Sequence, residues 1–125
     1  MANAKSNGCC SGGPRLIFAC SGAADVGEIA DKAARKMTKE GAGKMFCMAG
    51  IGGRISGIMK TIESAEKILA IDGCMLNCVK NTLELAGFKK CSYINLGELG
   101  FEKFNTEVTE ENITRVTDKV KEMMM

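Results

Sequence analysis

Four short apolar runs constrain this chain more than any other feature. They are Arg15–Cys20, Lys44–Ala49, Lys67–Asp72 and Cys91–Leu96. Each reads as a buried strand, bounded by glycine-bearing segments. Helical patterns lie between them. Val26, Ile29, Ala30, Ala33, Ala34 and Met37 recur on one helical face, with Asp25 and Glu28 early and Arg35, Lys36 and Lys39 late. Ser21 is the expected N-cap and Gly41 the expected stop. A second helix is expected on Ile55, Ile58, Met59, Ile62 and Ala65, and a third on Leu76, Val79, Leu83 and Ala86 up to Gly87. A last helix opens at Thr109-Glu110-Glu111 and carries Ile113, Val116 and Val120.

Strand and helix thus alternate four times. Short links between alternating elements demand a parallel sheet with right-handed crossovers and helices on both faces. The expected fold is one three-layer, doubly wound α/β domain with a four-stranded sheet in the order 2-1-3-4. An all-helical bundle would have to absorb all four apolar runs. The 125 residues suit a single domain with a real core. Residues 1–14 read as a flexible leader, 15–122 as the domain and 123–125 as a frayed tail.

Composition narrows function by exclusion. A net charge of +2 gives no electrostatic footprint for nucleic acid, and one Tyr, five Phe and no Trp leave little for base stacking. The first thirteen residues lack the apolar stretch of a secretory signal, and no run approaches the ~18 residues that span a bilayer. A monomeric protein in a reducing, cytoplasmic setting is expected. There, clustered cysteines mean metal or redox chemistry more often than disulfides.

Seven cysteines stand beside no histidine. This excludes Cys-His and Ser-His couples and any imidazole ligand, so a transition metal would be held by thiolate, carboxylate or backbone. Cys20 ends the first strand, Cys47 lies near the end of the second, and Cys74 follows the third, with Cys78 four residues on. All four map to the carboxyl edge of a parallel sheet, where neighbouring strands are ~4.8 Å apart. Cys74 and Cys78 share one helical face if the third helix starts early. A helix N-terminus favours thiolate, which is both metal ligand and nucleophile, so metal binding and a thiol pair both fit. Packing as small hydrophobes is the third reading, Cys47 being its clearest case. Cys91 begins the fourth strand at the opposite edge and reads as structural. Cys9 and Cys10 sit in the leader, as unliganded thiols or accessory ligands.

Phe18-Ala19-Cys20-Ser21-Gly22, Phe46-Cys47-Met48-Ala49-Gly50 and Ile71-Asp72-Gly73-Cys74-Met75-Leu76-Asn77-Cys78 resemble the DGC-domain family. Its name comes from the Asp-Gly-Cys motif, here Asp72-Gly73-Cys74. The resemblance spans roughly residues 15–97. It implies zinc binding through Cys20, Cys47, Cys74 and Cys78, and it implies no reaction.

Other candidates share that edge. Gly50-Ile51-Gly52-Gly53-Arg54 reads as a tight turn whose Gly50, Gly52 and Gly53 amides and Arg54 offer an anion site, or only close packing. It matches neither a dinucleotide fingerprint nor a phosphate loop. Asp72 reads as a cap or an outer-shell partner of the metal. The Gly97–Val108 loop is a lid or a plain connection. Met45, Met48, Met59 and Met75 read as core filler.

The leading expectation is one Zn²⁺ on four thiolates. Such a site is closed and carries a charge near −2, which suits a structural, regulatory or metal-carrying role rather than Lewis-acid hydrolysis. An iron–sulfur cluster takes the same ligands. The alternatives are a redox or sulfur-transfer enzyme using Cys20, Cys74 or Cys78, and an anion- or nucleotide-binding module at Gly50–Arg54.

Overall fold

The computed structural model describes residues 12–124. Cys9, Cys10 and nearly all of the leader lie outside them. The sheet holds β1 (Arg15–Ala19), β2 (Lys44–Met45), β3 (Lys67–Asp72) and β4 (Ser92–Asn95) in the order β2-β1-β3-β4, all parallel. The helices are α1 (Asp25–Lys39), α2 (Met48–Gly52), α3 (Ser56–Glu63), α4 (Cys78–Leu85) and α5 (Glu110–Met124). The doubly wound order read from the alternation is the order observed.

Alternate strand residues feed two cores. Ile17 and Ala19 of β1 and Leu69 and Ile71 of β3 pack with α1 and α5. Leu16 and Phe18 of β1 and Ile68 and Ala70 of β3 pack with Ile51 of α2, Ile62 of α3 and Val79 and Leu83 of α4. A strand covered on both faces must be apolar throughout, which is why these runs do not alternate with polar residues. The whole apolar stripe read for α1 is buried.

Several expected boundaries move. β2 stops at Met45 rather than Ala49: it is the sheet's edge strand, and after Phe46 donates to the Ile17 carbonyl the chain turns into α2. The expected glycine turn at Gly50–Arg54 is largely that helix. Gly53, Arg54 and Ile55 then donate their amides to the carbonyls of Ala49, Ile51 and Gly50. Of the amides expected to face an anion, that of Gly53 is thus engaged within the chain, and the Arg54 guanidinium also donates to the Ile51 carbonyl. Ile55 precedes α3 and is 53% exposed, so it does not belong to the buried stripe.

α1 starts at Asp25, and Ser21 does not cap it. Ser21 takes a left-handed φ of 52° and donates its hydroxyl to Asp31 instead. Met75 and Leu76 are exposed loop residues, not core. α5 continues through Met124, whose side chain is buried and whose carbonyl accepts from Arg15. The helix thus extends to that point.

Candidate functional site

The strand order reverses between β1 and β3. In open parallel sheets the crevice at such a point, beyond the carboxyl ends of the strands, is where ligands sit. Here it opens into a cavity of about 340 Å³ with mostly apolar walls. Cys20 enters it from the end of β1, Cys74 from the end of β3 and Cys78 from the first residue of α4. Cys20 and Cys74 are half-buried and Cys78 is exposed; all three are free thiols.

The Asp-Gly-Cys motif builds this edge one residue at a time. Asp72 is buried, and its carboxylate accepts the amides of Val79 at 2.8 Å and Lys80 at 3.0 Å. It therefore caps α4, whose N-cap residue Asn77 contributes no side-chain bond to its own helix. Gly73 is required by close approach. A Cβ there would lie 2.8 Å from the backbone C and O of Val26, so only glycine lets the first turn of α1 come down onto β3. Gly27 faces Gly22 in the same way, with a Cβ position 2.6 Å from the Gly22 oxygen. The Gly73 amide donates to the Cys20 sulfur at 3.4 Å. Cys74 follows on the cavity wall.

The helix does not begin early enough to place Cys74 and Cys78 on one helical face. Asn77 takes a left-handed φ of 53° and separates them. The loop between is held from β4, where the Asn95 amide donates to the Cys74 carbonyl at 2.7 Å and to the Asn77 side chain at 2.9 Å.

The long connection after β4 does overhang this edge. After a 3₁₀ turn at Leu96–Leu99, Lys103 and Phe104 join the cavity wall. The Asp25 carboxylate pins them, accepting the amides of Phe104 at 2.7 Å and Thr106 at 2.9 Å. These bonds hold its carboxyl below the ordinary value of 3.8. Asp72 is shifted the other way, raised because burial penalises its charge more than the two α4 amides favour it. Ser21, Asn77 and Phe104, three residues with positive φ, all flank the cavity. Backbone held in this costly region concentrates at functional sites.

Cys47 is set apart. It is the exposed N-cap of α2 and does not line the cavity, though it lies two residues past Met45, on the strand neighbouring β1. Among the described residues, no three cysteine, aspartate or glutamate side chains stand close enough to hold one metal ion. The thiols are of the kind zinc prefers and share an edge, but as they stand they do not converge on one point. Cys91 lies at the far edge, where its thiol donates to the Phe88 carbonyl and burial raises its pKa. The sequence alone does not mark Asn95, Asp25 and Phe104 as parts of the site. Their roles arise from contacts across 21 to 81 residues, which no local pattern announces.

A parallel sheet with cysteines gathered at its carboxyl edge defines the class, and the model of the DGC domain matches residues 16–120. The chain belongs to the DGC domain family. It is similar to the "Anaerobic and virulence modulator AnvM" of Pseudomonas aeruginosa strain PAO1, with 34% identity over 88 residues, 70% of this chain and 67% of that protein. No solved structure matches it significantly. No helix among the described residues is long and apolar enough to cross a membrane.

Proposed function

We propose that this protein binds one soft metal ion, zinc, at the carboxyl edge of its sheet. Cys20, Cys74 and Cys78 supply three thiolates, and Cys47 closes the set from the start of α2. The observation that carries this reading is that the first three line one cavity at the point where the strand order reverses. Three features support it. The chain has no histidine to compete as a ligand. Cys47 and Cys78 are exposed and able to reorient. Met75 and Leu76, between Cys74 and Cys78, are themselves exposed, so an ion can approach these thiols without disturbing the core.

Bound zinc would cross-link β1, the β3–α4 loop and the start of α2. Four thiolates leave it no open position, so the role is to hold structure or to carry the metal rather than to activate water. The residues around it have separate tasks. Asp72 fixes the α4 N-terminus that carries Cys78, Asn95 fixes the loop that carries Cys74, and the Gly73 amide orients the Cys20 sulfur.

Elemental analysis of the reduced chain, purified after zinc supplementation, tests the reading. It predicts about one zinc per chain. Substoichiometric zinc under these conditions would contradict it. Visible absorbance of the freshly isolated protein separates zinc, which is colourless, from an iron–sulfur cluster.

A further inference from the structure

The cavity has more wall than three sulfurs need. Its volume of about 340 Å³ reaches the lower end of small-molecule pockets, which run from about 300 to 1,000 Å³. Val26 forms its floor, and two large apolar side chains stand at its mouth with little cover: Leu76 is 65% exposed and Phe104 77% exposed. Phe104 is not a loose loop residue. Asp25 holds its amide, and its φ of 67° is one that bulky side chains avoid. Its backbone is thus held in place while its ring stands open at the cavity mouth.

Beside the mouth, both oxygens of the Asp25 carboxylate are already taken up by the amides of Phe104 and Thr106. The Lys103 ammonium lies 5.3 Å from the centre of the Phe104 ring and, among the described residues, has no carboxylate within ion-pair reach. Asp72 is the acid in the cavity wall, and both of its oxygens already accept α4 amides. The cavity therefore presents an apolar body and one available cation.

We propose that this cavity binds a small apolar carboxylate, with its hydrocarbon part against Val26, Leu76 and Phe104 and its anionic head at Lys103. The cavity exists without a metal, so the proposal does not rest on the zinc reading. A suitable probe is 3-phenylpropanoate, with the uncharged 3-phenylpropanamide as its control. Both are titrated into the reduced, metal-free full chain and followed by amide chemical shifts.

The expected result is a saturable set of shifts centred on Val26, Gly27, Gly73 and Phe104. The carboxylate should bind about 1.5- to fivefold tighter than the amide, the range for one exposed ion pair. That preference should vanish in Lys103→Gln and survive in Lys80→Gln, which alters the neighbouring cavity between β3 and β4. Equal affinity for acid and amide in the unmodified chain, shifts centred elsewhere, or no shifts at millimolar ligand would each overturn the proposal. Zinc uptake is measured separately by elemental analysis, so failure of probe binding by the metal-free chain and failure of metal binding are distinguishable.

Discussion

The amide of Gly73 points at the sulfur of Cys20 across 3.4 Å and ties the end of β3 to the end of β1. The contact exists because the first turn of α1 lies directly on Gly73, leaving no room for a side chain. The same glycine thus sets the depth of the cavity and orients one of its thiols.

Gly73→Ala should therefore destabilise the fold, by about 1–3 kcal/mol, the range for forcing an extra methyl into a packed site. Gly57→Ala is its control. Gly57 is the second residue of α3, with nothing within 4 Å of its Cβ position, so alanine there should stabilise, by less than the about 0.5–1 kcal/mol of a mid-helix site. Urea unfolding of the two variants should give opposite signs; a neutral Gly73→Ala would show that α1 shifts freely.

Asp72→Ala should cost about 1–3 kcal/mol by leaving the amides of Val79 and Lys80 without their acceptor in a buried setting. Hydrogen exchange at those two amides should rise more than at the centre of α1. Uniform loss of protection across both helices would mean that Asp72 is not a local cap.

Asp25 predicts how the overhanging loop responds to acid. Its carboxyl titrates below the ordinary value of 3.8 because Thr106 and Phe104 donate to it, so the folded chain binds fewer protons there than the unfolded chain. The stabilisation is complete above the ordinary value and is lost as pH falls through the lowered one. Exchange protection at Phe104 and Thr106 should hold at neutral pH and vanish in acid. Asp25→Asn, which keeps only one acceptor oxygen, should weaken it and remove its pH dependence. Protection that persists undiminished in the variant would show that other contacts hold the loop.

Alkylation of the reduced, metal-free chain should sort the described cysteines by position. Cys47 and Cys78 are exposed and should react first. Cys91 should react last, since burial raises its pKa and its thiol donates to the Phe88 carbonyl. Peptide mass mapping at short labelling times reads the order, and early modification of Cys91 would contradict the placement.

The fold was more legible than the site. Two-sided burial makes apolar runs such as Leu16–Ala19 and Ile68–Ile71 conspicuous, and alternation with helices leaves few ways to order the strands. The carboxyl-edge address of Cys20, Cys74 and Cys78 followed from that order. What stayed hidden depends on local geometry. Glycine usually marks a turn, so Gly50 and Gly52 concealed α2. Asn77 in a left-handed conformation delays α4 and breaks the expected pairing of Cys74 with Cys78. The edge strand β2 ends early and carries Cys47 away from the cavity. The reason for Gly73 lies in α1, which the Asp-Gly-Cys motif does not contain.

The central claim is that the carboxyl-edge thiols form one metal site. Zinc per chain, measured on reduced protein after zinc supplementation, tests it in Cys20→Ser, Cys47→Ser, Cys74→Ser, Cys78→Ser and Cys91→Ser. About one zinc should remain in Cys91→Ser, whose thiol faces Phe88 at the far edge, and zinc should fall well below one in the other four. Undiminished zinc in Cys20→Ser, Cys74→Ser and Cys78→Ser would contradict the account.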